Sequence, residues 1–297
     1  MIMTERPTDE RDPGFPPIVL AFAASDPSGG TGIQADVLTL ASMGCHPLSV
    51  ITALTVQDTL GVEAVHPIDS EWVADQARCL LEDMPVDAFK IGALGSVENI
   101  AAVAEILSDY PDVPLILDPV LAGGRGEELA TDEMVQALTE LLLPQTTILV
   151  ANSLELRRLA ETDDDEEPAV SACATALVEA GCEYVLLTGT HEPSRDVVNT
   201  LYGKNGIVRT DSWPRLSGSF HGAGGTLAAA IAAMLANGLD MPEAVREAQD
   251  YTWHTLKKAY RPGMGQYLPD RLFWAREEGE ARGDAPELPR ADARGSH

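Results

Sequence analysis

The chain has 297 residues, 45% of them hydrophobic, and its 47 acidic side chains against 20 Lys and Arg give a formal net charge of −27. That apolar share can build one large α/β domain, while the acidic surplus excludes a non-specific nucleic-acid binder, which needs a basic face. No apolar run is long enough to span a bilayer, and the charged, proline-rich start "MIMTERPTDERDPGFPP" has no secretory h-region. The expectation is a cytoplasmic protein with neither nucleic-acid nor membrane partners.

Residues 1–16 read as a disordered lead and 277–297 as a disordered polar tail, leaving one domain over 17–276. An apolar run at 18–24 reads as a buried strand, and the turn cluster "SDPSGGTG" leads into a helix at 33–43. A β-branched strand is predicted at 48–56, a helix at 73–81 and a strand at 88–91. The helix predicted at 99–108 puts Ile100, Val103, Ala104 and Leu107 on one face. A strand at 115–120, a helix at 133–143, a strand at 147–150, helices at 153–159 and 169–180, and a strand at 184–187 follow. A hairpin around "GKNG" is expected within 197–208, then helices at 226–236 and 244–260. Strands alternating with such helices predict βαβ units and a mostly parallel sheet. Ligands of such sheets bind beyond the carboxyl ends of the strands, and polar or glycine-rich segments follow nearly every predicted strand. Four cysteines, at 45, 79, 173 and 182, show neither a CxxC pair nor zinc spacing, and read as buried thiols.

The P-loop, Rossmann, HExxH and GxSxG patterns are absent. "SFHGAGGTLAAA" is the best anion-site candidate, because the bare first turn of a helix leaves N–H groups without partners. Asp26 serves either a ligand hydroxyl or its own Asx-type turn. Asp118 ends an apolar run, where a carboxylate is costly unless paired or metal-bound. Asn152 and Glu155 have the spacing of a capping box. Gln57 is either a reader of a ring edge or an ordinary loop residue, and His221 either a phosphate ligand or a structural histidine.

The segments "AASDPSGGTGIQADVLTLASMG", "SVITALTVQDTLGV", "KIGALGS", "LDPVLAGGRGEELA", "LLPQTTILVANSLELRRL", "VLLTGTHE" and "SFHGAGGTLAAAIAA" occur in this order. Together they resemble the hydroxymethylpyrimidine/phosphomethylpyrimidine kinases of thiamine biosynthesis, in the ribokinase-like superfamily, over about residues 18–275. The resemblance implies a three-layer α/β sandwich, a central mostly parallel sheet with helices on both faces. It implies transfer of the γ-phosphoryl group of ATP, with Mg²⁺, to 4-amino-5-hydroxymethyl-2-methylpyrimidine and then to its monophosphate. Carried onto this chain, it implies that Asp36 and Gln57 hold the aminopyrimidine and that Ala24, Ala93 and Val120 line its pocket. Asp118 and Glu155 fall on the metal side, and Asn152, Thr188 and His221 on the nucleotide side. The backbone of Gly222, Ala223, Gly224 and Gly225 falls on the anion hole. A homodimer is implied as well.

The chain departs from that pattern at specific places. Gly225 stands where the family's "HGxGCT" carries cysteine. Ala93 replaces the methionine after "KIG" and widens the pocket. Gly124, beside Arg125, and Thr188 stand where lysines are common. Two further readings follow: a kinase for a pyridoxal-type ring alcohol, and a catalytically impaired pyrimidine-binding homologue.

Overall fold

The computed structural model describes residues 14–124, 126–160, 169–189 and 194–276. The expected lead up to residue 13, the expected tail from 277, Arg125 and the acidic run at 163–167 lie outside the described residues.

The strands are β1 (Ile18–Ser25), β2 (His46–Gln57), β3 (Val62–Pro67), β4 (Ala88–Ile91), β5 (Leu115–Leu117), β6 (Ile148–Asn152), β7 (Tyr184–Thr188), β8 (Asp196–Gly203) and β9 (Gly206–Pro214). They form one sheet in the order β3-β2-β1-β4-β5-β6-β7-β8-β9. The six strands from β2 to β7 in that order pair in parallel. β3 at one edge, and β8 and β9 at the other, are antiparallel.

Side chains on a strand alternate between faces, so β1 feeds two cores. Leu20 and Phe22 join the cluster beneath α2 (Ser70–Asp83), α3 (Val97–Leu107), α4 (Asp132–Ala137), α5 (Ser153–Leu159) and α6 (Val170–Glu179). Val19, Ala21 and Ala23 join the opposite cluster, beneath α1 (Gly32–Ser42), α7 (Ala223–Ala236) and α8 (Met241–Lys257). The result is the expected three layers. Residues 225–233 of α7 are all buried; their mostly alanine side chains let the helix lie close on the sheet, aiming its N-terminus at the strand ends.

Several boundaries differ from expectation, each for a local reason. β3 was not expected. Five of its six residues are exposed, so no hydrophobic period marks it. β5 stops at Leu117 rather than 120, because Pro119 lacks an N–H and Val120 turns to φ +44. The helix expected at 133–143 begins one residue earlier, behind the Thr131 cap. After Ala137 it widens into a π turn at Leu138–Leu142 and tightens at Leu143–Gln145. The expected hairpin is longer than 197–208, α7 starts three residues before 226, and α8 starts at Met241, behind the Asp240 cap. Cys79 is exposed, unlike the other three thiols. Among the described residues no helix is long and apolar enough to cross a membrane.

Candidate active site

The loop after β1 is organised by Asp26. Its Oδ1 accepts from Ser28 N–H at 2.8 Å; its Oδ2 accepts from Gly30 N–H at 3.0 Å and Thr31 N–H at 2.8 Å. The same Oδ2 lies 3.0 Å from His221 Nε2. Burial opposes the Asp26 charge, but bonds from His221, Gln57, Thr31 N–H and Ser28 outweigh it and hold the carboxyl well below the usual range. Asp26 is therefore the knot of its own turn, and His221 ties that turn to the entry of α7.

Buried Arg271 makes a second tie. Its guanidinium donates to Gly29 O at 3.2 Å, Gly30 O at 2.5 Å and Thr226 Oγ1 at 3.1 Å. The two glycine-rich segments touch so closely that a Cβ on Gly222, where φ is +85, would stand 1.8 Å from Gly30 O. With that approach fixed, the N–H groups of Ala223, Gly224 and Gly225 form the partner-free first turn of α7, while Thr226 N–H already bonds Gly222 O at 3.0 Å.

A cavity opens beside this junction, under the flap made by β2 and β3. Ala24, Gln57, Val62, Val65, Ala93 and Val120 wall it, and Thr31, Lys90 and Asp118 also line it. Thr52 Oγ1 donates to Ala93 O at 2.6 Å and pins that wall. Val120 holds a left-handed backbone, which for a β-branched residue stores on the order of 1–3 kcal/mol of strain. Gln266 N–H donates to Thr59 O at 2.8 Å, and His221 N–H to Tyr267 O at 2.9 Å, so residues 266–267 bridge the flap tip and the approach to α7.

The cavity floor is charged. Lys90 is almost fully buried, with Nζ 3.1 Å from Asp36 Oδ2 and 3.5 Å from Asp118 Oδ2. Burial works against the Lys90 charge, but the two carboxylates outweigh it and raise its pKa. One cation cannot satisfy both acids. Burial pushes Asp36 up to about 6, with Lys90 opposing and Asp118 adding. Burial likewise raises Asp118, against the pull of Lys90.

Asn152 and Glu155 form the expected capping box at α5. Asn152 Oδ1 accepts from Leu154 and Glu155 N–H at 2.9 and 3.0 Å, and Glu155 Oε2 accepts from Asn152 N–H at 3.0 Å. Asn152 Nδ2 donates to the same Oε2 at 2.7 Å. Burial pushes Glu155 up to about 7; the Asn152 N–H opposes this and the Asp118 charge adds to it. Among the described residues no group of three or more His, Cys, Asp or Glu forms a ready metal cage. Asp118, buried, and Glu155, half-buried, are nonetheless two oxygen donors short of positive charge. This suits Mg²⁺, which typically uses one or two carboxylates together with substrate phosphates.

The structure thus brings Ala24, Gln57, Ala93, Val120 and Asp118 to one cavity, with Gly225 against Asp118 at its edge. It does not bring Asp36 there: the side chain is wholly buried against Lys90 and lines no part of the cavity. The carboxamide of Asn152 bonds within the cap of its helix, and His221 bonds Asp26. Thr188 sits at the end of β7, in register with Asn152. Sequence reasoning missed Lys90, Thr31 and Arg271. The signal for Lys90 was a lone cation in an apolar strand, which demands buried acids nearby.

The sequence profile described as phosphomethylpyrimidine kinase matches residues 26–270. A hydroxymethylpyrimidine/phosphomethylpyrimidine kinase of Mycobacterium leprae is 38% identical over 268 residues, covering 88% of this chain and 96% of that protein. A crystal structure of phosphomethylpyrimidine kinase from Clostridium difficile superposes with a TM-score of 0.69 at 32% identity, covering 80% of this chain and 97% of that one. An ADP complex of Bacillus subtilis pyridoxal kinase superposes with a TM-score of 0.78 at 25% identity, covering 88% and 99%.

Proposed function

The chain belongs to the phosphomethylpyrimidine kinase family, and from that premise we propose that it transfers the γ-phosphoryl group of ATP to 4-amino-5-hydroxymethyl-2-methylpyrimidine and then to its monophosphate, within thiamine biosynthesis. The carrying observation is the juxtaposition of a small-walled cavity holding one amide, Gln57, with the partner-free first turn of α7. The flat ring lies between Ala24, Ala93 and Val120, and Gln57 meets its polar edge. The hydroxymethyl group then points toward Asp118 and Gly225. The N–H groups of 223–225 face the charge that develops on the transferring phosphoryl group, where preorganised donors lower the barrier most.

ATP as donor is supported by the kinase relatives and by the ADP bound to the B. subtilis neighbour. The nucleotide lies along the ends of β6 and β7, near Thr188. Mg²⁺ would be held by Asp118 and Glu155 and would supply neutralisation of phosphate charge there. A homodimer is supported by Leu54 and Val56, which lie exposed on β2 outside the cavity and suit a second apolar surface. One catalytic unit spans 17–276.

The test is ATP-dependent ADP release with each pyrimidine in the presence of Mg²⁺. Turnover on both is expected, and absence of turnover on either refutes the assignment. A second reading, phosphorylation of a pyridoxal-type ring, is favoured by the short Ala93 wall and by the pyridoxal kinase fold match. It predicts a kcat/KM for pyridoxal above that for the pyrimidine.

A further inference from the structure

Gly225 is the third residue of α7 and is buried. A Cβ built on it has two neighbours within 4 Å: Thr31 Oγ1 at 3.4 Å and Asp118 Oδ2 at 3.6 Å. Any side chain at 225 would therefore project between that hydroxyl and that carboxylate. The glycine leaves this space without a polar group of its own, directly beside the first-turn N–H groups of α7.

Thr31 is placed to serve that space. It is the N-cap of α1, a position where the threonine oxygen ordinarily accepts from a first-turn N–H. Here it makes no such bond and lines the cavity instead. Its backbone is fixed, because Thr31 N–H is held by Asp26, and Asp26 is tied to α7 through His221. Gly32 beside it has φ +62 and no room for a Cβ, which would stand 2.3 Å from Ala24 O. A hydroxyl on so rigid a loop, turned away from its own helix, is a preorganised contact.

We propose that Thr31 Oγ1 hydrogen-bonds the substrate hydroxyl and aligns it for transfer, from α1, in place of a side chain at 225. The inference rests on the alcohol kinase reading above. The substrate oxygen forms the new bond to the γ-phosphorus. The bond between that phosphorus and the β-phosphate oxygen breaks, and its electron pair leaves on ADP. The alcohol proton passes to Thr31 Oγ1, which releases its own proton to water in the space beside Gly225. In a loose phosphoryl-transfer transition state the proton moves late, so alignment is the larger contribution.

The experiment is a double-mutant cycle of Thr31→Val and Gly225→Cys, with Thr31→Ser as the conservative variant, read as kcat and KM on the pyrimidine and on pyridoxal. Valine keeps the shape and removes the hydroxyl, and thermal melting checks each fold. On whichever alcohol turns over faster, Thr31→Val is expected to lower kcat on the order of 10–100-fold with little change in KM. Thr31→Ser should keep most of the turnover. In the Gly225→Cys background the same Thr31→Val change should cost less than about threefold, since the thiol then fills the same space. Equal losses in both backgrounds, no loss in the first, or failure of serine to retain turnover each overturn the inference. If the unmodified chain phosphorylates neither alcohol while Gly225→Cys phosphorylates the pyrimidine, the Thr31 role falls and the family reaction stands. If neither protein does, both fall.

Discussion

Lys90→Met tests the charged floor of the cavity. Methionine keeps most of the volume and removes the ammonium that pairs with Asp36 and Asp118, which lie 3.1 and 3.5 Å from Nζ. Breaking a buried pair leaves uncompensated charge and typically costs about 3–5 kcal/mol. That cost depends on pH, and its sign follows from the shifts. Asp36 already folds with its pKa raised from 3.8 to about 6, and Asp118 is raised too. Without Lys90, the largest interaction that pulls each of them down is gone, so both rise further. A group whose folded pKa is raised contributes stability that is fully present below its unfolded pKa and is lost as pH rises through the folded one. Between pH 5 and 8 the folded variant therefore binds more protons than its unfolded chain. It loses about 1.4 kcal/mol per pH unit for each carboxyl held protonated. Urea unfolding of both proteins at pH 5, 6, 7 and 8 reads the difference directly. The deficit should be smallest at pH 5 and should grow with pH. A deficit that is flat across the range, or below about 1 kcal/mol at pH 7, would refute the account of one cation shared between two buried acids.

Gly222→Ala should abolish nucleotide-dependent turnover and lower solubility, because the new Cβ meets Gly30 O at 1.8 Å in a backbone region that favours glycine. Wild-type kinetics from this variant would show that the two glycine-rich segments do not meet. Ala93→Met lengthens one wall of the cavity and should raise KM for pyridoxal more than for the pyrimidine; an equal effect on the two would remove Ala93 from the specificity argument. The net charge of −27 predicts that moving from 0.1 to 1 M KCl, which shortens the screening length from about 10 to 3 Å, raises Tm by about 4 °C or more. A flat or falling Tm in calorimetry would mean that surface repulsion contributes little.

Local signals were legible and distant ones were not. The run "IVLAFAA" reads as a buried strand because every residue carries the information itself, and the strand observed there extends it by one residue. The capping box of Asn152 and Glu155 and the Asx-type turn of Asp26 need only a few neighbours, and both formed. The floor of the cavity is different. Lys90 finds its partners 54 residues upstream and 28 downstream, so only the folded sheet brings the three together. Asp36 shows the same limit from the other side: a motif places its residue on α1 but does not say whether the carboxylate faces the cavity or backs a lysine. β3 escaped because a flap strand exposed along five of six residues has no buried face to impose a period. Arg271 escaped because its acceptors are carbonyls of glycines some 240 residues away.

A protein carrying a charge of −27 must still receive a polyphosphate, and the arrangement of charge by depth resolves the conflict. At physiological ionic strength the screening length is about 8 Å, so surface carboxylates farther away than that contribute little inside the cavity. Groups shielded from solvent are screened far less. The buried groups at the site that favour an anion are Lys90, Arg271 and the first-turn N–H groups of α7, and they stand among the buried carboxyls of Asp26, Asp36 and Asp118. Asp26 is matched by donors within its own turn. Asp36 and Asp118 share the single charge of Lys90, Glu155 has no ion pair among the described residues, and burial raises both Asp118 and Glu155. The site is thus electrostatically complete only when a cation joins those two carboxylates. Nucleotide affinity should accordingly fall far more steeply on removal of divalent cation than on addition of monovalent salt.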